Sequence, residues 1–584
     1  MAKGPRIGVY ICHCGTNIAG VVDVEAVRRY AEKLPGVVVA KTYPYMCSEP
    51  GQNLIKEDIE AGLVDRVVVA ACSPRLHEPT FRRVLKEAGL NPYLFEMANI
   101  REHCSWVHMR EPGKATEKAK DIVRMAVAKA RLLGPLQPIE VSARREVLVI
   151  GGGIAGITAA LDLANAGFHV YLVEKGPSIG GHMAQLDKTF PTMDCSICIL
   201  APKMVECGRH PNITIITDAE VVGLKGRAGD FRVRVLVRPR YVDLERCTGC
   251  GICTEKCPMR PPLRRIPDEF NVGLGERRAI YIPFPQAVPR AAIVDPEHCL
   301  YLRKNKCLLC EEFCQAEAVD FSQQPRELEL HVGAIVIATG FEFLDASIVA
   351  EYGYGRYKNV LTSLELERLV CASGPTGGEL VRPSDGKKPE RIAFIQCVGS
   401  RSTRPGHAPY CSAVCCMYAT KEAILIKEHE PECEVTIFYM DLRAFGKGFQ
   451  ELVARAKEEY GIRYVRARPS RLIEDPGTGD VIMRYEDTEA LELREERFDL
   501  VVLCPALVPC RDNVKLAKAL GLELDEHGFF RILDPLLAPV DTNVPGIFVC
   551  GYCAGPKDIS ESVYQASCAA ERAMEVVFGR EVGG

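Results

Sequence analysis

No stretch of this chain strings together the roughly 18 apolar residues that a membrane-spanning helix needs. Neither charge is in excess: 73 Lys and Arg face 77 Asp and Glu, a net charge of −4 over 584 residues. A balance so near neutrality gives no electrostatic reason to expect nucleic acid or an anionic membrane as partner. The opening Met1-Ala-Lys-Gly-Pro-Arg6 runs straight into a strand-like segment without the apolar core of a signal peptide, so a cytoplasmic location is expected. Internal repeats and low-complexity stretches are lacking as well. A chain this long exceeds one core, and several domains are expected.

Cysteine, by contrast, occurs 27 times. In a large chain of a reducing compartment these cannot form a disulfide framework, and they sit beside Gly and Pro as metal ligands do. Cys247-Thr-Gly-Cys250-Gly-Ile-Cys253-Thr-Glu-Lys-Cys257-Pro258 is the C-x2-C-x2-C-x3-C-P run of bacterial-type [4Fe–4S] proteins, whose fourth cysteine reaches to a second cluster. Cys-x2-Cys pairs also bind zinc. The unbroken run of four ending in proline points instead to iron–sulfur electron transfer, in an anaerobic setting. The second half is Cys299-x7-Cys307-x2-Cys310-x3-Cys314, with a stretched first gap and Gln315 in place of proline. By the two-cluster pairing rule, Cys247, Cys250, Cys253 and Cys314 hold one cube, and Cys299, Cys307, Cys310 and Cys257 hold the other.

Near the start, apolar runs at 6–11, 36–40, 66–71 and 93–97 predict buried parallel strands, with helices over 23–33 and 78–88 between them. This is the pattern of a small α/β domain. Cys12 or Cys14, Cys47, Cys72 and Cys104 each follow one of these strands, at the edge where such sheets gather ligands. Four thiols there predict a further cluster, with Cys14, Cys47, Cys72 and Cys104 as its set. Cys195 and Cys198 compete for that role, and buried free thiols are the plain alternative. A linker with Gly134-Pro135 and Gln137-Pro138 follows.

The next strand leads into Gly151-Gly-Gly153-Ile-Ala-Gly156, an apolar helix, and a strand ending at Glu174, the full context of a dinucleotide-binding turn. Gly151, Gly153, Ile154, Ala155 and Gly156 would bring backbone to a pyrophosphate at a helix N-terminus. Glu174, with Lys175 beside it, is placed to hold a ribose hydroxyl. The turn at Gly180-Gly181 offers Gly181, His182 and Met183 to the flavin ring, a structural role being the alternative. Ala338-Thr339-Gly340 closes another strand. Gly546-Ile-Phe-Val-Cys-Gly551 closes a third, followed by a helix bearing Ser562 and Val563. These segments resemble the flavin-contacting segments of thioredoxin-reductase-like flavoproteins, and the resemblance implies FAD.

In that family a second glycine motif binds the nicotinamide cofactor. Here the equivalent strand runs into Gln396-Cys397-Val-Gly399-Ser-Arg401, keeping one glycine of the set. Cys411-Ser-Ala-Val-Cys415-Cys416 follows, and positions 411 and 415 share a helix face. Four thiols where the nicotinamide would sit predict a cluster of unusual spacing beside the flavin. A reactive dithiol or buried core cysteines are the alternative. A cation near the flavin ring would stabilise its reduced form, but spacing alone favours a solvated helix lysine at Lys421.

Together with Ile11-Cys-His-Cys-Gly-Thr-Asn17, Ala71-Cys-Ser-Pro-Arg-Leu-His-Glu-Pro-Thr-Phe81, Ile100-Arg-Glu-His-Cys-Ser-Trp106, Asp194-Cys-Ser-Ile-Cys198 and Gly555-Pro-Lys-Asp558, these motifs resemble the A-subunit family of heterodisulfide reductase over nearly the whole chain. The resemblance implies an α/β multidomain, thioredoxin-reductase-like flavoprotein. An N-terminal small α/β domain (1–138) precedes a Rossmann-type FAD domain in three pieces (139–238, 323–388 and 511–584). A bacterial 2[4Fe–4S] ferredoxin domain (239–322) and a degenerate NAD domain carrying a cluster (389–510) are inserted. It also implies an oxidoreductase component that splits electron pairs at FAD between ferredoxin and a disulfide-reducing partner. The Cys397, Cys411, Cys415 and Cys416 cluster would lie next to the flavin, with Lys421 near its ring. Implied partners are B- and C-like subunits, ferredoxin, a second copy in a homodimer core, and an electron-donor module. That donor would be of hydrogenase, formate dehydrogenase or nicotinamide-oxidising type. The family's C-terminal ferredoxin module is not found in this sequence, so its role would fall to a partner.

Two other readings stay open. A stand-alone NAD(P)H-dependent disulfide oxidoreductase would need the second glycine motif intact; a non-bifurcating wiring component would not. Cys207, Cys371, Cys433, Cys504, Cys510 and Cys568 lack partner spacing and are expected in the core. Cys550-Gly-Tyr-Cys553 reads as a redox dithiol or as small residues packed under the flavin.

Overall fold

The β-branched runs near the start form four parallel strands, Ile7–Cys12, Val37–Tyr43, Arg66–Ala71 and Phe95–Asn99, ordered second, first, third, fourth. Successive side chains on a strand point to opposite faces. Ile7, Val9, Ile11 and Val68 therefore enter one core with Val27 and Val123, while Tyr10, Val67 and Val69 enter a second with Ile55 and Phe81. The second connecting helix starts earlier than the expected 78, at Pro74. Proline at a first-turn position costs no hydrogen bond, and the Ser73 side chain accepts from Arg75 N. The computed structural model describes residues 4–137, 143–261 and 263–578. They fall into two compact units, 1–140 and 141–584. Pro138, the expected boundary at 138–139 and the terminal segment 579–584 lie outside the described residues.

In the larger unit, five parallel strands form one sheet in the order Ile547–Val549, Ala334–Ile337, Glu146–Ile150, His169–Val173 and Ile213–Ile216. The helices Ile154–Asn165 and Ile559–Val577 pack together over one face around Ile157, Leu161, Ala566 and Ala570. A three-stranded antiparallel sheet lies beside it, and its pairing sets Val237 opposite Arg326. Everything between those two residues leaves and re-enters the fold at one point. Arg240, 5% exposed, moors that excursion: its guanidinium donates to the Pro177, Ala291 and Ala292 carbonyls and pairs with Asp218 at 3.0 Å.

The excursion has little regular structure, a two-residue ribbon of Ile280–Tyr281 with Ile293–Val294 and three helices of four or five residues. Its core is Val242, Ile266, Ile280 and Val294 together with Cys253, Cys257, Cys299 and Cys310. A second parallel sheet, ordered Val360–Thr362, Leu500–Pro505, Arg391–Val398, Glu434–Tyr439 and Arg463–Arg466, carries the helix Cys415–His429. Among the described residues no helix is long and apolar enough to cross a membrane.

Candidate flavin and iron–sulfur sites

The carboxyl ends of the five-stranded sheet that holds Glu146–Ile150 open into a cavity of about 370 Å³. Strand ends gather ligands in α/β sheets because the following turns leave amide groups free there. Gly151, Gly153, Ile154, Ala155, Glu174, Gly181, His182, Met183, Ala338, Thr339, Gly340, Gly551, Ser562 and Lys421 all line it. Gly156, Lys175 and Val563 do not. A Cβ at Gly156 would stand 1.8 Å from the Gly151 carbonyl oxygen, so that glycine lets the helix close on the turn. Lys175 reaches outward to Asp512. At Gly151, φ is +105° and a Cβ would meet the Ala338 carbonyl at 2.3 Å.

Glu174 accepts from Gly152 N at 2.6 Å and Gly176 N at 2.7 Å, which fixes its carboxylate at the cavity wall. Burial raises its pKa against these two donors. His182 is pinned at both ring nitrogens, 2.7 Å from Gln185 Oε1 and 3.0 Å from the Phe341 carbonyl, and stacks on Phe341 at 4.7 Å. Sequence reasoning passed over Phe341, Tyr418, Tyr552, Glu367, Glu422 and Lys557, which also line the cavity. Tyr552 and Lys557 lie inside sequence motifs, and Tyr418 and Glu422 on the helix of Cys415 and Cys416, but no spacing marks these side chains themselves and tertiary packing brings them here.

Lys421 is 1% exposed rather than solvated, and its ammonium pairs with Glu367. Burial pushes it down to about 8. The same helix begins with the cysteine pair. Cys397 is the penultimate residue of the strand before it and stands in a left-handed conformation, φ +58°, where the strand's pairing register breaks. Cys411 lies in the loop before the helix rather than on a helix face with Cys415, and Ala413, φ +65°, turns that loop. Cys397, Cys411, Cys415 and Cys416 thus form one mutually interacting group. Burial raises the Cys397 and Cys415 thiols and pushes Cys416 up to about 11. Cys416 Sγ accepts from Arg443 N and Cys411 Sγ from Ala413 N, both at 3.4 Å. Amide donors to sulfur suit a ligated thiolate, and such bonds tune cluster potential. The donor set fits a cluster.

In the excursion, Cys257, Cys299, Cys307 and Cys310 surround a cavity of about 20 Å³. Cys247, Cys250 and Cys253 group around the helix Ile252–Lys256, and Cys314, which accepts from Ala318 N at 3.3 Å, packs into the same core. In the N-terminal unit, Cys12, Cys14, Cys47 and Cys72 interact at the strand ends. Cys12 Sγ accepts from Cys14 N and Met46 N, and Arg101 donates to Cys14 Sγ at 3.3 Å. Cys104 takes another place: it is fully buried, and its thiol donates to the Ala115 carbonyl at 3.0 Å. The residue after a strand is not always turned to its edge, and the π-helical turn 101–105 rotates Cys104 into the core.

Two other cysteine expectations need correction. Cys195 and Cys198 are joined as a disulfide at the start of the helix Ser196–Arg209. Cys568 is exposed rather than in the core, on the outer side of its helix, and Cys510 is only partly buried. Cys550 and Cys553 are buried free thiols, with Cys553 donating to the Cys550 carbonyl at 3.1 Å. Among the described residues no three His, Cys, Asp or Glu side chains close on a single metal ion.

A flavin cavity on a Rossmann-type sheet, with cysteine cages in an inserted ferredoxin-like segment, defines an FAD- and [4Fe–4S]-dependent oxidoreductase. Residues 146–193 match the FAD-dependent oxidoreductase family, and residues 240–261 match the 4Fe–4S binding domain. The chain is 59% identical to the iron-sulfur A-subunit 2 of the CoB–CoM heterodisulfide reductase of Methanopyrus kandleri, over 99% of this chain and 86% of that protein. It is 56% identical to the A-subunit of the H2:CoB-CoM heterodisulfide,ferredoxin reductase of Methanothermobacter marburgensis, over 97% of this chain and 84% of that one. Thioredoxin reductase of T. acidophilum is a looser likeness, with a TM-score of 0.42 and 16% identity over 75% of this chain and 100% of that one. The chain belongs to the A-subunit family of heterodisulfide reductase.

Proposed function

We propose that this protein is the flavin-bearing component of a heterodisulfide-reductase-type complex, dividing electron pairs between ferredoxin and a disulfide-reducing partner. The observation that carries this reading is the four-thiol group at 397–416, on the helix that also lends Tyr418, Lys421 and Glu422 to the flavin cavity. When bound, FAD supplies the exchange between paired and single electrons. The chain's own residues do the holding. Gly151, Gly152, Gly153 and Glu174 would grip the dinucleotide end, while Phe341, Tyr552 and Lys421 would enclose the other end. Four clusters are assigned. Two lie in the segment 239–322, with the two cysteine sets its spacing predicts. One sits at Cys397, Cys411, Cys415 and Cys416, and one in the N-terminal unit. There Cys12, rather than Cys104, joins Cys14, Cys47 and Cys72. B- and C-like subunits would take electrons onward, and the relative's name, with H2 and ferredoxin in it, supports a hydrogenase-type donor and a ferredoxin acceptor.

Anaerobic reconstitution tests this directly. Four clusters amount to about 16 irons per chain, beside one FAD. Reduced ferredoxin is expected to bleach the flavin, whereas NADH and NADPH leave it oxidised. Bleaching by a nicotinamide would instead make this a stand-alone disulfide oxidoreductase.

A further inference from the structure

One buried acid in the flavin cavity has no part in the assignments above. Glu422 is 2% exposed and lines the cavity, and its Oε2 has no hydrogen-bond partner. Cys415, Tyr418 and Glu422 are spaced three and four apart on one helix and so share a face. The row runs from the cysteine group to the flavin cavity. The groups around Glu422 are Lys421 and Tyr418 on its own helix, Cys504 on the strand Leu500–Pro505, and Glu367 on the helix Ser363–Val370, reached through Lys421. Asp187 and the cavity-lining Lys188 act on Lys421, and the strands behind the helix bring Phe394, Val435, Ile437 and Val502 to this core, with Tyr464 bonded to Thr420 on the helix. Lys421 already pairs with Glu367, which also accepts from Asp187 N at 2.9 Å. That pair is electrically balanced, so an ionised Glu422 would leave one uncompensated charge in a closed, low-dielectric space.

We propose that Glu422 is held as a neutral carboxylic acid and serves as the proton donor and acceptor of the flavin cavity. Its O–H bond breaks as the proton passes to a base in the cavity. The nearby Lys421 ammonium, already paired with Glu367, offsets the carboxylate's charge only in part, and the O–H bond re-forms when that base gives the proton back. No electron passes through Glu422. The electrons whose charge the proton balances come from a low-potential donor protein. Burial pushes the acid up to about 8, which keeps it protonated yet able to release a proton near neutrality.

This inference rests on the flavin reading, and redox-difference infrared spectroscopy of FAD-loaded protein tests the two separately. The expected result is a carbonyl band of a protonated carboxylic acid that changes on reduction, shifts in D2O, disappears in Glu422→Gln and moves in Glu422→Asp. FAD-loaded wild type without such a band would overturn the inference, as would a band that neither variant alters. Protein that takes up iron but no FAD would sink the flavin reading instead.

Discussion

Glu174 and Glu422 are both carboxylates buried at the same cavity, yet their surroundings set them to different tasks. Two backbone amides hold Glu174 in place, whereas Glu422 has Lys421 beside it and an oxygen without a donor. The position of Glu174 at a strand end after a glycine turn is legible in sequence. That of Glu422 is not, because a Lys-Glu pair on a helix ordinarily marks the solvent face. The pH dependence of stability separates the two cases. Burial lifts Glu422 from 4.5 to about 8, so between those values the folded state binds the extra proton and stability falls as pH rises. Replacing Glu422 with Gln removes that loss. Its thermal midpoint should exceed the wild type's by an amount that is small at pH 5 and grows toward pH 8. A gap independent of pH would contradict this.

At the scale of elements, strands and their order are the most legible part of the chain. The two central strands, Ile7–Cys12 and Arg66–Ala71, stand where unbroken apolar runs predict them, because a strand buried on both faces has no polar alternation to obscure it. The cysteine row at 411–416 was readable for the same reason that makes it functional, since a strand end and a helix start bring separated residues together. Less legible was Cys104, whose π-helical turn has no sequence signature. Arg240 was missed too: it ties the strand-end loop at Asp218 to the excursion that carries the ferredoxin-type cysteines. Burial raises Asp218 and lowers Arg240, so each charge depends on the other. Arg240→Met leaves Asp218 buried and unpaired, and the expected cost is about 3–5 kcal/mol. Chemical unfolding followed by both flavin and cluster absorbance would read it. An unchanged transition would mean that the excursion is moored elsewhere.

For the whole molecule, the proposed function turns on the thiols in the loop and helix start that follow the strand Arg391–Val398. By the same proposal the N-terminal and inserted cysteine groups would hold further clusters, but neither would decide whether the flavin works with single electrons. Only the group at Cys397, Cys411, Cys415 and Cys416 would. An anomalous difference map at the iron edge, from crystals grown and frozen without oxygen, looks at that group directly. The account predicts four irons among those sulfurs, lost in Cys415→Ser while the iron of the segment 239–322 remains. A map with iron in that segment and none at 397–416 would contradict it.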